Sequence, residues 1–398
     1  MLPLQGKRVL AWTVGVAGPY GGMVFADCGA EVILIERAGR REPGGILSHE
    51  RGKKSISIDA RTEEGKEILR KLLKTADIFY ENYAPGAIAR LGFPPEEVLK
   101  INPRIIYVSG KGYGEGPYGM RPAWDPCIEA ESGYMALTNY KDPNSMPMRL
   151  GSPSIDETTA MFNVLTAIGG LMNLEKTGKG EYIRGNMFED ALSSLAHHVA
   201  LYTMYGQTVA PMGSGTGAER AYETADWYVY VDASTDENWK KFCDVAGVDK
   251  ANVDMYSTKE AREKDPAGVE GVMAEALTKM TTSDVVVALD KAGVPVAAIN
   301  TMREVIDNPH FKANGTVVRI PHTKKMLKTS FNKVGVATKL PVRTSAYNPK
   351  IPGWVGKPAP EVGENSVEIL KELGYGEEQI TDLRKRKIVA PYIEEVKK

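Results

Sequence analysis

The alternation of strand-like and helix-like segments between Arg8 and Ser109 constrains the fold more than any other feature of this sequence. Arg8 to Val14, Ala30 to Ile35, Ala76 to Tyr80 and Ile105 to Ser109 are short runs rich in Val, Ile, Leu and aromatic residues, the composition of buried strands. Between them, Gly15 to Gly22 reads as a glycine-rich turn and Met23 to Cys28 as a short helix. Thr62 to Lys74 is amphipathic at helical period, and Pro95 to Lys100 is a short helix with proline in its first turn. Strands separated by helices imply parallel βαβ units with helices on both faces of a sheet. In such sheets ligands bind beyond the carboxyl ends of the strands, so the turns after Val14, Ile35, Tyr80 and Ser109 are expected to line the site.

Further on, Ser154 to Glu175 reads as a long helix, Tyr182-Ile183 as a strand and Phe188 to Tyr205 as another helix. The composition then changes. Residues 206–222, with the glycines of Ala210 to Gly217, read as a flexible linker, and residues 223–307 as a smaller α+β domain. Residues 308–360, rich in Pro, Lys and Thr, read as a return connection, and Gly363 to Val389 is helical again.

Composition excludes several classes. Lys and Arg number 50 against 51 Asp and Glu, so the chain lacks the basic excess of a nucleic-acid binder. Cys28, Cys127 and Cys243 are widely spaced and form neither a disulfide framework nor a zinc pattern, and the five histidines include no H-x-x-x-H pair. A metal site is not expected. No apolar run reaches membrane-spanning length, and no basic stretch precedes an apolar core near Met1. A cytoplasmic location without membrane association follows as the expectation.

Two segments carry chemistry. Ser154-Ile155-Asp156-Glu157 has the S-x-x-E spacing of a capping box and opens the apolar stripe Ala160, Met161, Val164, Leu165, Ile168, Leu171, Met172. Asp156 falls in the first turn, at the positive end of the helix dipole, where a carboxylate is expected to stay ionised and to serve as a nucleophile if it faces a cleft. The bland alternative is a structural first-turn acid. The second segment, Gly15 to Gly22 with Glu36 about twenty residues on, resembles a dinucleotide fingerprint, which makes an NAD-dependent oxidoreductase a competing class. Its spacing fails, because Ala17 stands where the second glycine lets backbone approach a pyrophosphate, and Pro19 removes an N–H donor.

Five stretches in this order resemble the family III CoA-transferases, the group containing formyl-CoA transferase, carnitine CoA-transferase and phenyllactate CoA-transferase. They are Ala17 to Arg37, Ala76 to Phe93, Asn102 to Tyr118, the Asp156 helix with its TGKGEYI ending, and Ile369 to Tyr375. The resemblance implies an α/β fold in which both chain ends (residues 1–205 and 361–398) build a Rossmann-like large domain, with the small domain between them. It also implies a homodimer of interlocked rings. The implied activity is CoA transfer from an acyl-CoA donor to a carboxylic acid (carnitine-like, 2-hydroxy or enoic) through an aspartyl-CoA thioester on Asp156. Coenzyme A thioester is then a substrate, and no cofactor is permanently bound. Implied CoA contacts are Val16 and Ala17 in the first turn, Arg37 near the 3′-phosphoadenosine and Ile58 against adenine. Arg61 stands where the family has a lysine that contacts phosphate, Asn82 and Tyr83 lie beside the pantetheine, and Arg90 contacts phosphate. Guanidinium forks suit phosphate oxygens.

Three departures qualify the resemblance. Pro122 stands where formyl-CoA transferase has a phosphate-contacting lysine, so that contact is lost unless Arg121 substitutes. The glycine lid of that enzyme has only a loose counterpart in Gly213, Gly215 and Gly217. Acyl-CoA racemases of the same fold carry a G-H-D motif that aligns with Ala123-Trp124-Asp125, and Trp124 cannot transfer a proton. A non-catalytic CoA-binding protein is the contrasting class.

Overall fold

The computed structural model describes residues 2–40, 47–138, 146–206, 215–314, 317–321, 334–338 and 358–391. In chain order the first half forms β1 (Arg8–Trp12), α1 (Ala17–Asp27), β2 (Glu31–Arg37), β3 (Lys54–Ile58), α2 (Glu63–Thr75), β4 (Ile78–Glu81), α3 (Ala87–Arg90), α4 (Pro95–Ile101), β5 (Ile106–Lys111), α5 (Asp125–Ser132), the single turn α6 (Tyr134–Leu137), α7 (Ser154–Thr177), β6 (Glu181–Asn186), α8 (Met187–Ser194) and α9 (Ala196–Tyr205). Strands β3, β2, β1, β4, β5 and β6 lie in that order and all pair in parallel. This is the order of a doubly wound sheet whose direction switches between β1 and β4. A short C-terminal strand, Val389–Ala390, adds to β3 antiparallel.

Two helical layers cover this sheet. On one side Ile68, Leu69, Leu72 and Leu73 of α2 close over Leu10, Ile33, Ile56 and Phe79, joined by Ile369, Leu370, Ile380 and Leu383 from the C-terminal helices Ser366–Glu372 and Glu377–Lys385. On the other, Val24 and Phe25 of α1 and Val164, Ala167 and Leu171 of α7 pack on Val9, Val32, Ile78, Tyr80, Ile106 and Val108. The alternation of side chains along each strand divides them between the two interiors.

The structure departs from the sequence reading in several places. Helix α1 begins at Ala17 and absorbs most of the expected glycine turn, because the glycines serve close packing. A β-carbon on Gly18 would overlap Asn82, and one on Gly21 would lie 2.7 Å from the Tyr80 hydroxyl. Strand β3 was invisible as a pattern because Lys54-Ser55-Ile56-Ser57-Ile58 alternates with serines, which are buried here: Ser55 bonds Glu36, and Ser57 accepts from Gly39 and donates to Arg37. The expected single helix Phe188 to Tyr205 is two, divided at Leu195. The C-terminal segment ends in a strand instead of remaining helical.

The chain divides into two compact units: residues 1–134, 149–208 and 312–398 in the large one, and 135–148 with 209–311 in the small one. The segment read as a linker, 206–222, contains the strand Gly215–Thr216 and most of Glu219–Glu223. These belong to the small unit's four-stranded antiparallel sheet with Tyr228–Asp232 and Val296–Ala298, packed on a core around Trp239, Phe242, Met273 and Leu277. Gly213 lies outside the described residues, as does much of the expected return connection. Within that connection Val317–Pro321 pairs antiparallel with Val334–Thr338. No helix among the described residues is long and apolar enough to cross a membrane.

Candidate active site

Helix α7 starts at Ser154, but not by the expected capping box. Its N-cap is Pro153, which offers no side-chain cap, and the Ser154 hydroxyl sits 2.6 Å from that of Ser152. The free N–H groups of Ile155 and Asp156 donate instead to Asp125 Oδ2, at 2.9 and 3.1 Å. Asp125, buried in the first turn of α5, thus caps α7 from another element. One turn along α5, the buried Glu129 accepts from the Leu150 N–H at 2.7 Å. Burial, foremost, and the neighbouring Asp125 push the Glu129 carboxyl up. Together they fasten both ends of the segment from Leu150 to Asp156.

Asp156 itself is half-buried. Burial, foremost, and then the charges of Asp125 and Glu157 push its carboxyl up to about 7, against the influence of the Ala17 backbone N–H, which favours the ionised form. The expectation of a carboxylate simply held ionised by the helix dipole is corrected: desolvation and like charge outweigh the dipole. At neutral pH the group divides between a neutral acid and a poorly solvated carboxylate, the more nucleophilic of its possible states.

The Ala17 N–H is placed by the switch point between β1 and β4. Asn82, directly after β4, accepts from the Val14 N–H at 2.8 Å and donates to the Val14 carbonyl at 2.9 Å, tying the two strand ends together. The turn carrying Asn82 is held by Glu81, which is buried and accepts from Ser109 Oγ at 2.5 Å, from Lys111 Nζ at 2.7 and 2.8 Å, and from the Tyr83 N–H at 2.9 Å. Lys111 also donates to the Tyr83 carbonyl at 2.7 Å. Tyr83 stands edge-on to Trp12, with centroids 6.0 Å apart.

The structure brings some of the expected CoA contacts to the carboxyl edge of the sheet. Val16 is the N-cap of α1 and Ala17 its buried first residue. Arg37 ends β2, Arg61 follows β3 and Arg90 ends α3 after β4, all exposed. The Arg61 fork already grips Asp59, at 2.8 and 2.7 Å. Ile58 is the clear correction: at 2% exposure it belongs to the core under α2 and has no surface to offer adenine. Arg121, beside Pro122, pairs with Glu131 at 2.6 Å and lies over the Tyr118 ring at 4.5 Å. Trp124 is the exposed N-cap residue of α5. Gly215 and Gly217 sit in the small unit's first hairpin, where the Gly217 N–H donates to Glu270 at 2.8 Å.

Sequence reasoning missed Asp125, Glu129, Glu81 and Lys111 as site residues. Asp125 was visible only as the last letter of an aligned racemase motif, and none of the four has a local pattern, because each acts across a gap of twenty or more residues. No group of three or more His, Cys, Asp or Glu that could hold a metal ion occurs among the described residues.

Comparison with known proteins adds the chemical class. A family model described as CoA-transferase family III matches residues 4–366. Succinyl-CoA:glutarate CoA-transferase of Homo sapiens is 30% identical over 400 residues, covering 96% of this chain and 88% of that protein. Formyl-CoA:oxalate CoA-transferase of Escherichia coli is 28% identical, covering 96% and 98%. Among solved structures, a CAIB/BAIF family protein from Brucella suis superposes with a TM-score of 0.82 at 28% identity, covering 94% of this chain and 99% of that one.

Proposed function

Because this chain belongs to CoA-transferase family III, we propose that it moves coenzyme A from an acyl-CoA to a carboxylic acid through covalent attachment to Asp156. The observation that supports this reading is the half-buried carboxyl of Asp156 in the first turn of α7, pushed up to about 7 by burial and by the charges of Asp125 and Glu157. In the ionised state Asp156 attacks the donor thioester carbonyl; the C–S bond breaks, giving a mixed anhydride and CoA thiolate. The thiolate attacks the Asp156 carbonyl, the donor carboxylate leaves, and an aspartyl-CoA thioester remains. An acceptor carboxylate then attacks that carbonyl and releases the thiolate, which attacks the acceptor's half of the new anhydride and frees Asp156. In this reading the backbone N–H groups at the start of α1 are the donors for the charge that develops on the Asp156 oxygen during the second and third steps. One thioester replaces another, so the cycle needs no redox partner.

The charges acting on Asp156 are those of Asp125 and Glu157, both acidic. That surrounding favours acceptors without a second carboxylate close to the first, such as carnitine-like, 2-hydroxy or enoic acids, over the dicarboxylates in the relatives' names. Racemisation is disfavoured because Trp124 carries no proton-transferring group. An NAD-dependent reaction is disfavoured because Gly18 and Gly21 are filled by packing against Asn82 and Tyr80. Phosphates of CoA fall to Arg37, Arg61 and Arg90, with Val16, Asn82 and Tyr83 along the pantetheine.

A homodimer completes the proposal. Met161, Leu165 and Met172 leave one face of α7 42%, 63% and 57% exposed, and Tyr202 and Tyr205 do the same on α9. An apolar stripe of this kind suits a second copy of the chain. Interlocked rings would not exchange subunits in native mixtures of tagged and untagged protein.

The test of the nucleophile is direct. Protein incubated with acyl-CoA and no acceptor, digested and read by mass spectrometry, should carry CoA on the Asp156 peptide, or a hydroxamate there after hydroxylamine. Absence of both, or an adduct on another residue, would refute it. Screening monocarboxylates against succinate, glutarate and oxalate defines the acceptor.

A further inference from the structure

We propose that Arg40 joins Arg37 in a two-guanidinium clamp on the 3′-phosphate of coenzyme A, so that this chain prefers CoA to dephospho-CoA. The inference deepens the CoA-transferase reading and rests on it for the identity of the nucleotide.

A four-residue turn builds the clamp. Arg37 ends β2, and the chain reverses through Ala38 and Gly39, so that Arg40 lies directly opposite Arg37 in a single antiparallel bridge. The Arg40 N–H donates to the Arg37 carbonyl at 2.8 Å. Gly39 takes φ +70°, a left-handed value that suits the third residue of such a reversal and that a side chain would strain. The turn is pinned from inside the sheet. The Gly39 N–H donates to Ser57 Oγ at 2.9 Å, and the fully buried Ser57 donates to the Arg37 carbonyl at 2.9 Å. Side chains of directly opposed residues leave the backbone on one face, with β-carbons about 5 Å apart. Two guanidinium groups thus start from one fixed base at the carboxyl edge of the sheet.

Nothing in the fold asks for the second arginine. Both side chains are exposed, and among the described residues neither guanidinium makes a hydrogen bond or an ion pair. Like charges set directly opposite each other repel, so the pair costs stability until an anion arrives. A phosphomonoester is close to dianionic at neutral pH and offers three acceptor oxygens, which two guanidinium forks can share.

The neighbouring arginine is placed differently. Arg37 pairs in register with Ile58, which sets Asp59 and Arg61 at the adjoining strand end. There Arg61 directs Nε and Nη2 to Asp59 at 2.8 and 2.7 Å, while the Asp59 N–H donates to the Ile388 carbonyl at 2.8 Å. The Asp59 carboxyl lies below its usual range, through the Arg61 hydrogen bonds first and through the charge of Arg37 as well. One acid thus grips Arg61, and the surplus positive charge belongs to Arg37 and Arg40.

Titration calorimetry at low ionic strength compares CoA with dephospho-CoA, and adenosine 3′,5′-bisphosphate with adenosine 5′-monophosphate. Arg40→Ala should weaken CoA and the bisphosphate about ten- to a hundredfold and leave dephospho-CoA and the monophosphate unchanged. Arg40→Lys, which keeps the charge and loses the fork, should fall between Arg40→Ala and the parent. Without ligand, Arg40→Ala should melt no lower than the parent, since it removes a like-charge contact. Equal losses for CoA and dephospho-CoA, or full CoA affinity in Arg40→Ala, would overturn the clamp. A lower melting temperature with losses for all four ligands would overturn it too, by assigning Arg40 to the fold. Failure of the transferase reading looks different: a parent that prefers the bisphosphate yet transfers no CoA keeps the clamp and refutes that reading.

Discussion

Strand β4 presents Phe79 to one helical layer and Tyr80 to the other, and the two layers are built differently. Under α2 the interior is closed by Leu69, Leu72 and Leu73 on Leu10, Ile33 and Phe79, branched and aromatic groups that interdigitate. Under α1 and α7 the elements approach closely enough to require Gly18 and Gly21 on the helix and Gly110 and Gly185 on the strands, and the space so made is taken by Asn82, Tyr80 and Asn163. Burying polar groups costs stability unless each finds a partner, and gains geometry when it does. The α2 face therefore supplies cohesion. The α1–α7 face spends part of it on fixing the strand ends and helix starts that surround Asp156.

The sharpest test of that division is Asp156→Ala, with Asp156→Asn beside it. CoA transfer should fall by about three orders of magnitude or more. The rate of the parent should climb with pH through about 7, where the carboxyl ionises. Stability should move the other way. The folded carboxyl, at about 7, holds a proton that the unfolded one, near 3.8, has lost, so this group's contribution falls as pH rises between those values and its full cost remains above. Asp156→Asn should accordingly melt higher than the parent at about pH 8, and the gain should vanish below the lower value. A variant less stable at the higher pH would show that Asp156 is held for structure.

The same contrast explains which parts were legible in the sequence. Helix α2 obeyed its period because its whole task is to present one apolar stripe, and it begins within a residue of expectation. Helix α1 was misread because its glycines answer to Asn82 and Tyr80, more than fifty residues away. Asp156 stands in the first turn of α7 as expected, although the capping box that signalled that turn does not form and Asp125 caps the helix from a distance. Ile58 looked like a ligand contact by resemblance, yet its strand position sends it into the core. The buried partners Glu81, Lys111, Glu129 and Asn163 left no local signature, since a polar residue's role in an interior is decided by what the fold brings beside it.

Paired substitutions on opposite faces sharpen the comparison. Leu72→Ala under α2 should cost about 2–5 kcal/mol in urea or thermal unfolding. It should leave kcat where it is. Gly185→Ala on the other face drives a methyl into Asn163 and should cost about 1–3 kcal/mol. Although milder, it should lower kcat, because Asn163 stands on α7 with Asp156. A loss of kcat from Leu72→Ala in a folded enzyme, or none from Gly185→Ala, would break the division between the faces.

At the carboxyl edge the expected effects concern binding. Arg37→Ala and Arg90→Ala should each weaken CoA binding by about 1.5–3 kcal/mol, the worth of a charge-assisted hydrogen bond. Calorimetry with CoA and with pantetheine separates the outcomes: losses confined to CoA identify phosphate contacts, and equal losses show that the arginines act on the fold. Arg61, already forked onto Asp59, should give the smallest loss of the three.

The smallest effects compare two helix starts that look alike in sequence. Thr62, ahead of α2, accepts from the Gly65 N–H at 3.0 Å and is a true cap. Its replacement by alanine should cost about 1 kcal/mol of unfolding free energy and leave CoA transfer unchanged. Ser154 sits inside the first turn of α7 and touches only Ser152, so Ser154→Ala should stay within about 0.5 kcal/mol. The helix it opens is instead sensitive at Asp125, where alanine frees the N–H groups of Ile155 and Asp156 together. A large loss from Ser154→Ala would mean that the start of α7 is held locally, as that of α2 is. The expected indifference places its control on α5, so the position of Asp156 depends on tertiary structure and not on Ser154.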